Sequence, residues 1–477
     1  MTWLKRAAAI LALALTTSAI AADKAATDRY AAGVFLRSGL PGVVVAVVEA
    51  DRIAYASGFG DDGRGGAVTP DTPFILGSTS KAFTALAILQ LSEAGRLKLD
   101  DPAAHYLPGF LQNSDAAHRV TIRMLLNQVS GLSHESGDQP VIDAGERGPA
   151  AIRHFALALD AGALNRAPGS SYEYSNANYV VLGAIVETVS GQSYPDYMRD
   201  RIFKPLGMTH SRAFEAGNLA RGHKQFLGMN YVSDLPYPDS FVPAGFIVST
   251  ANDLAKYIAA QLPGAATARK LGLSDDGIAL WHKGAAAMDP DGKAHYAMGW
   301  VTDTFNGLPV VFHNGDTGVF SSEFAMDMNN RRAVIVLADG SGWLSGEYLH
   351  ELTSGILNQA AGHAPRDDSG IHRLILGIYL AVLAVPLIQF ALLWLMRRRR
   401  PSLFGRIWPV TLHAAFSAGL IVALPRLVFG IPFAELFTSF PDMAAAAILS
   451  GVCAVIALVQ AMRSAASPRS TASAPGV

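Results

Sequence analysis

The chain reads as an α+β protein: an antiparallel sheet flanked by helices, with a helical insertion dividing its strands, followed by three C-terminal membrane-spanning helices. Three observations predict this. β-branched runs lie near both ends of residues 22–370, Pro- and Gly-broken helical stretches lie between them, and three long apolar segments follow. The 477 residues suit two or three units, and only 16% are charged. Mean hydropathy is +0.25, which is apolar for a soluble chain and directs attention to membrane segments.

The N-terminus has the layout of an export signal. Lys5 and Arg6 precede an apolar run from Ala7 to Leu15, and Ala19-Ile20-Ala21 supplies the small residues that a signal peptidase needs. The run is too short to span a bilayer, so residues 1–21 are read as a signal peptide. Residues 22–370 then form the globular part. GVVVAVVEA (Gly42 to Ala50) and RIAYASGFG (Arg52 to Gly60) are separated by little more than Asp51 and read as a hairpin. Ser78 to Ala94 is helical in spacing and is closed by Gly95. Helix-like stretches fill Leu97 to Ser240. Strand patterns return in AMGWVTD near Trp300, LPVVFHNGD, VFSSEFAMDM and RRAVIVLADG, before a last helix from about Trp343 to Ala361.

Residues 371–463 hold the three spans, at about Leu374 to Met396, Ile407 to Leu424 and Met443 to Met462. Three crossings that start outside put Arg397 to Arg400, Arg406 and the tail in the cytoplasm. Of the flanking cations, only Arg366, Arg373 and Arg426 stay outside. That distribution agrees with the export signal, and both place the globular part on the periplasmic side of an inner membrane. His413 is the one ionisable residue inside the spans, too little charge for a transport pathway. Residues 464–477, SAASPRSTASAPGV, read as a disordered cytoplasmic tail.

Composition also excludes. A net charge of −1 gives no polyanion-binding surface, so nucleic acid is not an expected partner. Cys453, the single cysteine, lies in the third span, and no HExxH or paired Cys or His occurs at zinc spacing. No metal or cofactor is expected. Oligomeric state leaves no signature.

Three motifs carry the chemistry. Ser78-Thr79-Ser80-Lys81 opens a helix, and residues three apart share a face, so the Lys81 amine can reach the Ser78 hydroxyl. A serine becomes a nucleophile when a neighbour takes its proton. Taken alone, S-x-x-K occurs about once per chain of this size by accident. Tyr174-Ser175-Asn176 lies in a Pro- and Gly-bearing loop, where side chains can point into a cleft. His313-Asn314-Gly315-Asp316 ends a strand pattern, and Gly315 there opens a strand edge to substrate.

S-x-x-K, Y-x-N and a cation-x-G position, in this order, resemble the serine β-lactamase and penicillin-binding-protein superfamily, in its class C β-lactamase, D-peptidase and esterase branch. FILGSTSKAFTALAILQLSEAGRLKLDDP, VTIRMLLNQVSGL, PGSSYEYSNANYVVLGAIVE and HNGDTGVFSSEF carry the likeness across Leu36 to Gly362. The resemblance implies that Ser78 is acylated and that Lys81 and Tyr174 shuttle protons. It implies that Asn176 binds the substrate amide, and that the amides of Ser78 and Asp316 form the oxyanion hole. His313 stands where many relatives carry lysine. A mostly neutral imidazole suits a substrate carboxylate poorly, which favours amide or ester substrates over penicillins. With its three spans, the architecture is similar to membrane-anchored prodrug-activating peptidases that remove an N-acyl-D-asparagine cap.

The expected function is therefore a membrane-anchored periplasmic serine hydrolase acting on a small-molecule or peptide-like substrate, first as a D-amino-acid peptidase or amidase. Esterase, β-lactamase and non-catalytic penicillin-binding sensor are the alternatives.

Overall fold

Val44, Ala46 and Val48 of strand β1 (Gly42–Glu49) pack into one core, and Val43, Val45 and Val47 into another. A strand covered on both faces reads as an unbroken apolar run rather than an alternation, which is why its sequence is GVVVAVVE. The computed structural model containing it describes residues 24–137, 147–214, 217–234, 236–365, 367–397, 403–429, 433 and 436–466. The expected signal peptide, the Arg398–Arg400 cations and residues 467–477 of the expected tail lie outside these.

Eight antiparallel strands make the main sheet. From edge to edge they are β2 (Arg52–Gly60), β1, β12 (Arg332–Ala338), β11 (Ser321–Asp327), β10 (Leu308–Asp316), β9 (Trp300–Phe305), β8 (His295–Ala297) and β7 (Ala286–Ala287). Early and late strands thus join one sheet, as expected, through the β1–β12 pairing from Val43↔Ala338 to Glu49↔Arg332. One face is covered by the helix at residues 24–38 and by Ser345–Ala360, through Ala31, Val34, Leu349, Leu352 and Ile356. The other face carries the helical region, whose Ser80–Glu93, Asn176–Ser190 and Ala251–Ala259 helices supply Phe83, Leu86, Val181, Ile185 and Leu254.

The helical region runs further than the sequence implies. Helices Ala251–Ala259 and Asp275–Trp281 lie beyond Ser240, before the late strands begin. Small sheets also form: β3 (Phe74–Ile75) with β6 (Val248–Ser249), and β13 (Gly340–Ser341) with the β4 (His223–Phe226) and β5 (Met229–Val232) hairpin.

A separate compact unit begins at Ser369. It contains three helical segments long and apolar enough to cross a membrane, Ser369–Leu395, Trp408–Pro425 and Pro441–Arg463. At about 1.5 Å per residue, each approaches or exceeds the roughly 30 Å of a hydrocarbon core. Inside the unit, Gln389 Nε2 donates to His413 O at 3.2 Å and Ser417 Oγ to Ser450 O at 2.8 Å.

Candidate active site

Ser78 sits where a tight turn meets the edge of the sheet. The Ser80–Glu93 helix is preceded by a 3-10 turn, Gly77–Thr79, rather than starting at Ser78 itself. Gly77 has φ +60°, and a Cβ there would lie 2.6 Å from the Asp316 nitrogen. A Cβ on Gly315 would in turn lie 2.2 Å from Leu76 O and 2.9 Å from Ser78 N. Both distances are shorter than real contacts, so the two glycines are what let turn and strand touch. The turn is pinned by Thr79 Oγ1 donating to Leu76 O at 2.8 Å and by Ser322 Oγ donating to the same oxygen at 2.6 Å. Strand β9 pairs with β10 only from Leu308 to Phe312. Among the described residues, His313 to Asp316 therefore have no strand partner on that side, and the amides of Ser78 and Asp316 gather at the junction.

Lys81 is fully buried in the first turn of the helix. Its Nζ lies 3.0 Å from Ser78 Oγ, 2.6 Å from Asn176 Oδ1 and 2.7 Å from Ala244 O. The last two oxygens can only accept, so they claim two lysine N–H groups. The same nitrogen also lies within hydrogen-bonding distance of Ser78 Oγ. There a neutral amine presents its lone pair to the hydroxyl proton, and an ammonium presents a proton in return. Ser78 is half-buried, open enough to meet a substrate.

Tyr174 stands beside this pair, its ring centroid 4.8 Å from Lys81 Nζ. The ring also meets Tyr296 edge-on at 6.2 Å and His313 at 6.5 Å between centroids. His313 is 3% exposed. Its Nδ1 lies 2.5 Å from Asn314 O, and its Nε2 has no hydrogen-bond partner among the described residues. Burial, and then the charge of Lys81, push the imidazole down to about 3, so it is neutral at ordinary pH. Asp316 points its carboxylate away from the serine, towards the Ser321 and Ser341 hydroxyls at 3.1 and 2.8 Å.

All seven residues singled out from the sequence thus converge on one junction. Sequence reasoning missed the Ala244 carbonyl, because a main-chain acceptor carries no side-chain signal. It also missed the Thr79 and Ser322 hydroxyls behind the turn.

Comparison with known proteins gives a family match over most of the chain. A family model described as Beta-lactamase matches residues 19–353. Protein flp of Staphylococcus aureus (strain N315) is 28% identical over 419 residues, covering 82% of this chain and 80% of its own. Penicillin-binding protein 4 of Amycolatopsis lactamdurans is 30% identical over 344 residues, 68% of this chain and 86% of that protein. Among solved structures, the octameric penicillin-binding protein homologue from Pyrococcus abyssi is similar with a TM-score of 0.63 and 26% identity, over 72% of this chain and 78% of that one.

Proposed function

The chain belongs to the beta-lactamase family of serine hydrolases, and from that premise we propose that it cleaves an amide or ester through an acyl-enzyme on Ser78, with D-amino-acid peptides or amides as the leading substrate class. Ser78 Oγ attacks the carbonyl carbon as its proton passes to Lys81. The carbonyl oxygen, becoming an oxyanion, is received by the amides of Ser78 and Asp316. Lys81 and Tyr174 return the proton to the leaving group, then take one from the water that releases the acyl group and pass it to Ser78 Oγ as its bond to the acyl carbon breaks. Asn176 keeps Lys81 aimed and offers its Nδ2 to the substrate amide.

The observation that carries this reading is the position of Lys81, whose Nζ lies 3.0 Å from Ser78 Oγ while it donates to Asn176 Oδ1 and Ala244 O. The choice of substrate rests on His313. A neutral, buried imidazole supplies no cation for a substrate carboxylate and does supply a hydrogen-bonding nitrogen for a neutral amide or ester. The penicillin-binding names of the Amycolatopsis and Pyrococcus proteins support a peptide-like acyl donor. For cellular placement, we read Ser369 onward as an inner-membrane anchor and the hydrolase as periplasmic. The three apolar helices and the excess of arginine on one side of them support this.

Turnover of N-acyl-D-asparaginyl amides, short p-nitrophenyl esters and nitrocefin ranks the substrate classes. The D-amides are expected to be hydrolysed fastest. Turnover of nitrocefin alone would reverse the order.

A further inference from the structure

Beneath Tyr174 lies Gln128, which has no place in the proton route above. The Ile122–Leu126 helix ends there in two backbone hydrogen bonds, Gln128 N to Leu125 O at 3.3 Å and Val129 N to Met124 O at 3.0 Å. This pattern leaves Gln128 left-handed, with φ +60°. Gly is the usual occupant of such a position, because a side chain there crowds the following carbonyl oxygen. Gln128 is nonetheless fully buried, and both of its carbonyl oxygens are used. Its main-chain O accepts from Glu173 N at 2.9 Å. Its side-chain Oε1 accepts from Ser175 N at 3.0 Å and from the Asn178 side-chain amide.

Glu173 and Ser175 flank Tyr174, so a single residue grips the backbone on both sides of the tyrosine. We infer that Gln128 is a positioning residue for Tyr174, fixing the phenol against Lys81 by clamping the two peptide groups beside it. The inference rests on the proposed roles of Ser78, Lys81 and Tyr174. The clamp gives a physical reason for glutamine where glycine would be more comfortable. Glycine would keep the main-chain acceptor and lose the one that holds Ser175. The second grip continues into the fold, because Asn178 also accepts from Ser130 Oγ through its Oδ1, at 2.5 Å.

The test is the rate at which a fluorophosphonate labels the full-length protein between pH 5 and 10, in Gln128→Gly, Gln128→Met and Gln128→Glu. Glycine suits the backbone but lacks Oε1, methionine has the same length and no acceptor, and glutamate restores an acceptor at the same reach. Labelling is expected to slow about ten-fold or more in the Gly and Met variants. Their pH profile should also shift relative to wild type, and the Glu variant should recover most of the rate. A wild-type rate and profile in a folded Gly or Met variant would overturn the inference, as would a loss that Gln128→Glu fails to restore. Wild-type labelling separates the two levels. If the wild type is not labelled at Ser78, the reading of the site falls and the clamp with it; if it is labelled and the Gly or Met profile is unchanged, only the clamp falls.

Discussion

At the scale of single residues, Lys81 and His313 make opposite demands on the same small volume. Lys81→Ala removes the group that faces Ser78 and leaves Asn176 Oδ1 and Ala244 O without their shared donor. Acylation should fall by about 1,000-fold, with a stability loss of about 2 kcal/mol that leaves the protein folded. Full retained activity would remove Lys81 from the mechanism. His313, held near 3, does not titrate in the working range. The pH–rate profile between pH 5 and 8 should therefore keep its shape in His313→Asn, and a lost inflection near pH 6.5 would contradict a neutral His313. His313→Lys should raise acylation by a penicillin relative to an uncharged ester, because it supplies the missing partner for a carboxylate. Ser78, Lys81 and Tyr174 were legible because each motif fixes a side chain at a set spacing. Ala244 and Gln128 were not, since one acts through its main chain and the other through a left-handed backbone that no residue pattern announces.

At the scale of elements, the joint between β1 and β12 holds a buried carboxyl. Asp339 accepts from Gly42 N at 2.7 Å through Oδ1, while Oδ2 has no partner among the described residues. Burial, with smaller contributions from Asp61 and Asp62, pushes it up to about 8. A folded-state value above the unfolded one means that the folded protein binds more protons between roughly pH 4 and 8. Its contribution to stability is therefore present in acid and is lost as pH rises through that window. Asp339→Asn should accordingly stabilise the protein against urea at pH 9 more than at pH 5, and an equal effect at both would refute a protonated Asp339. Gly315→Ala should abolish labelling of Ser78, because its Cβ drives into Leu76 O and pushes the turn from the strand. Strands β1, β10, β11 and β12 were readable from their apolar runs. Two-residue strands such as β3, β6 and β13 are too short to show a period. The β4–β5 hairpin turns at Leu227-Gly228, with φ +51° and +76°, where the sequence lacks the Asn-Gly or Asp-Gly that marks such turns. The 3-10 start at Gly77–Thr79 was hidden because Ser78 to Ala94 keeps one helical spacing throughout.

At the scale of the whole molecule, the sheet and both of its helical faces are complete before Asp368, and the apolar helices form a unit of their own. A protein ending at Asp368 is expected to be folded and active in solution, as judged by cooperative thermal unfolding and by labelling. Aggregation or inactivity of that protein would make the apolar helices part of the enzyme rather than its tether. The two-part division was legible because hydropathy changes sharply near residue 370, whereas the acyl donor was not, since the residues around Ser78 come from segments far apart in the chain. The most direct test of the account is the intact mass of the protein after incubation with a fluorophosphonate, beside a Ser78→Ala sample. One stoichiometric adduct that disappears in Ser78→Ala is the predicted result. No adduct in a folded wild-type sample, or an adduct that persists in Ser78→Ala, would contradict Ser78 as the nucleophile.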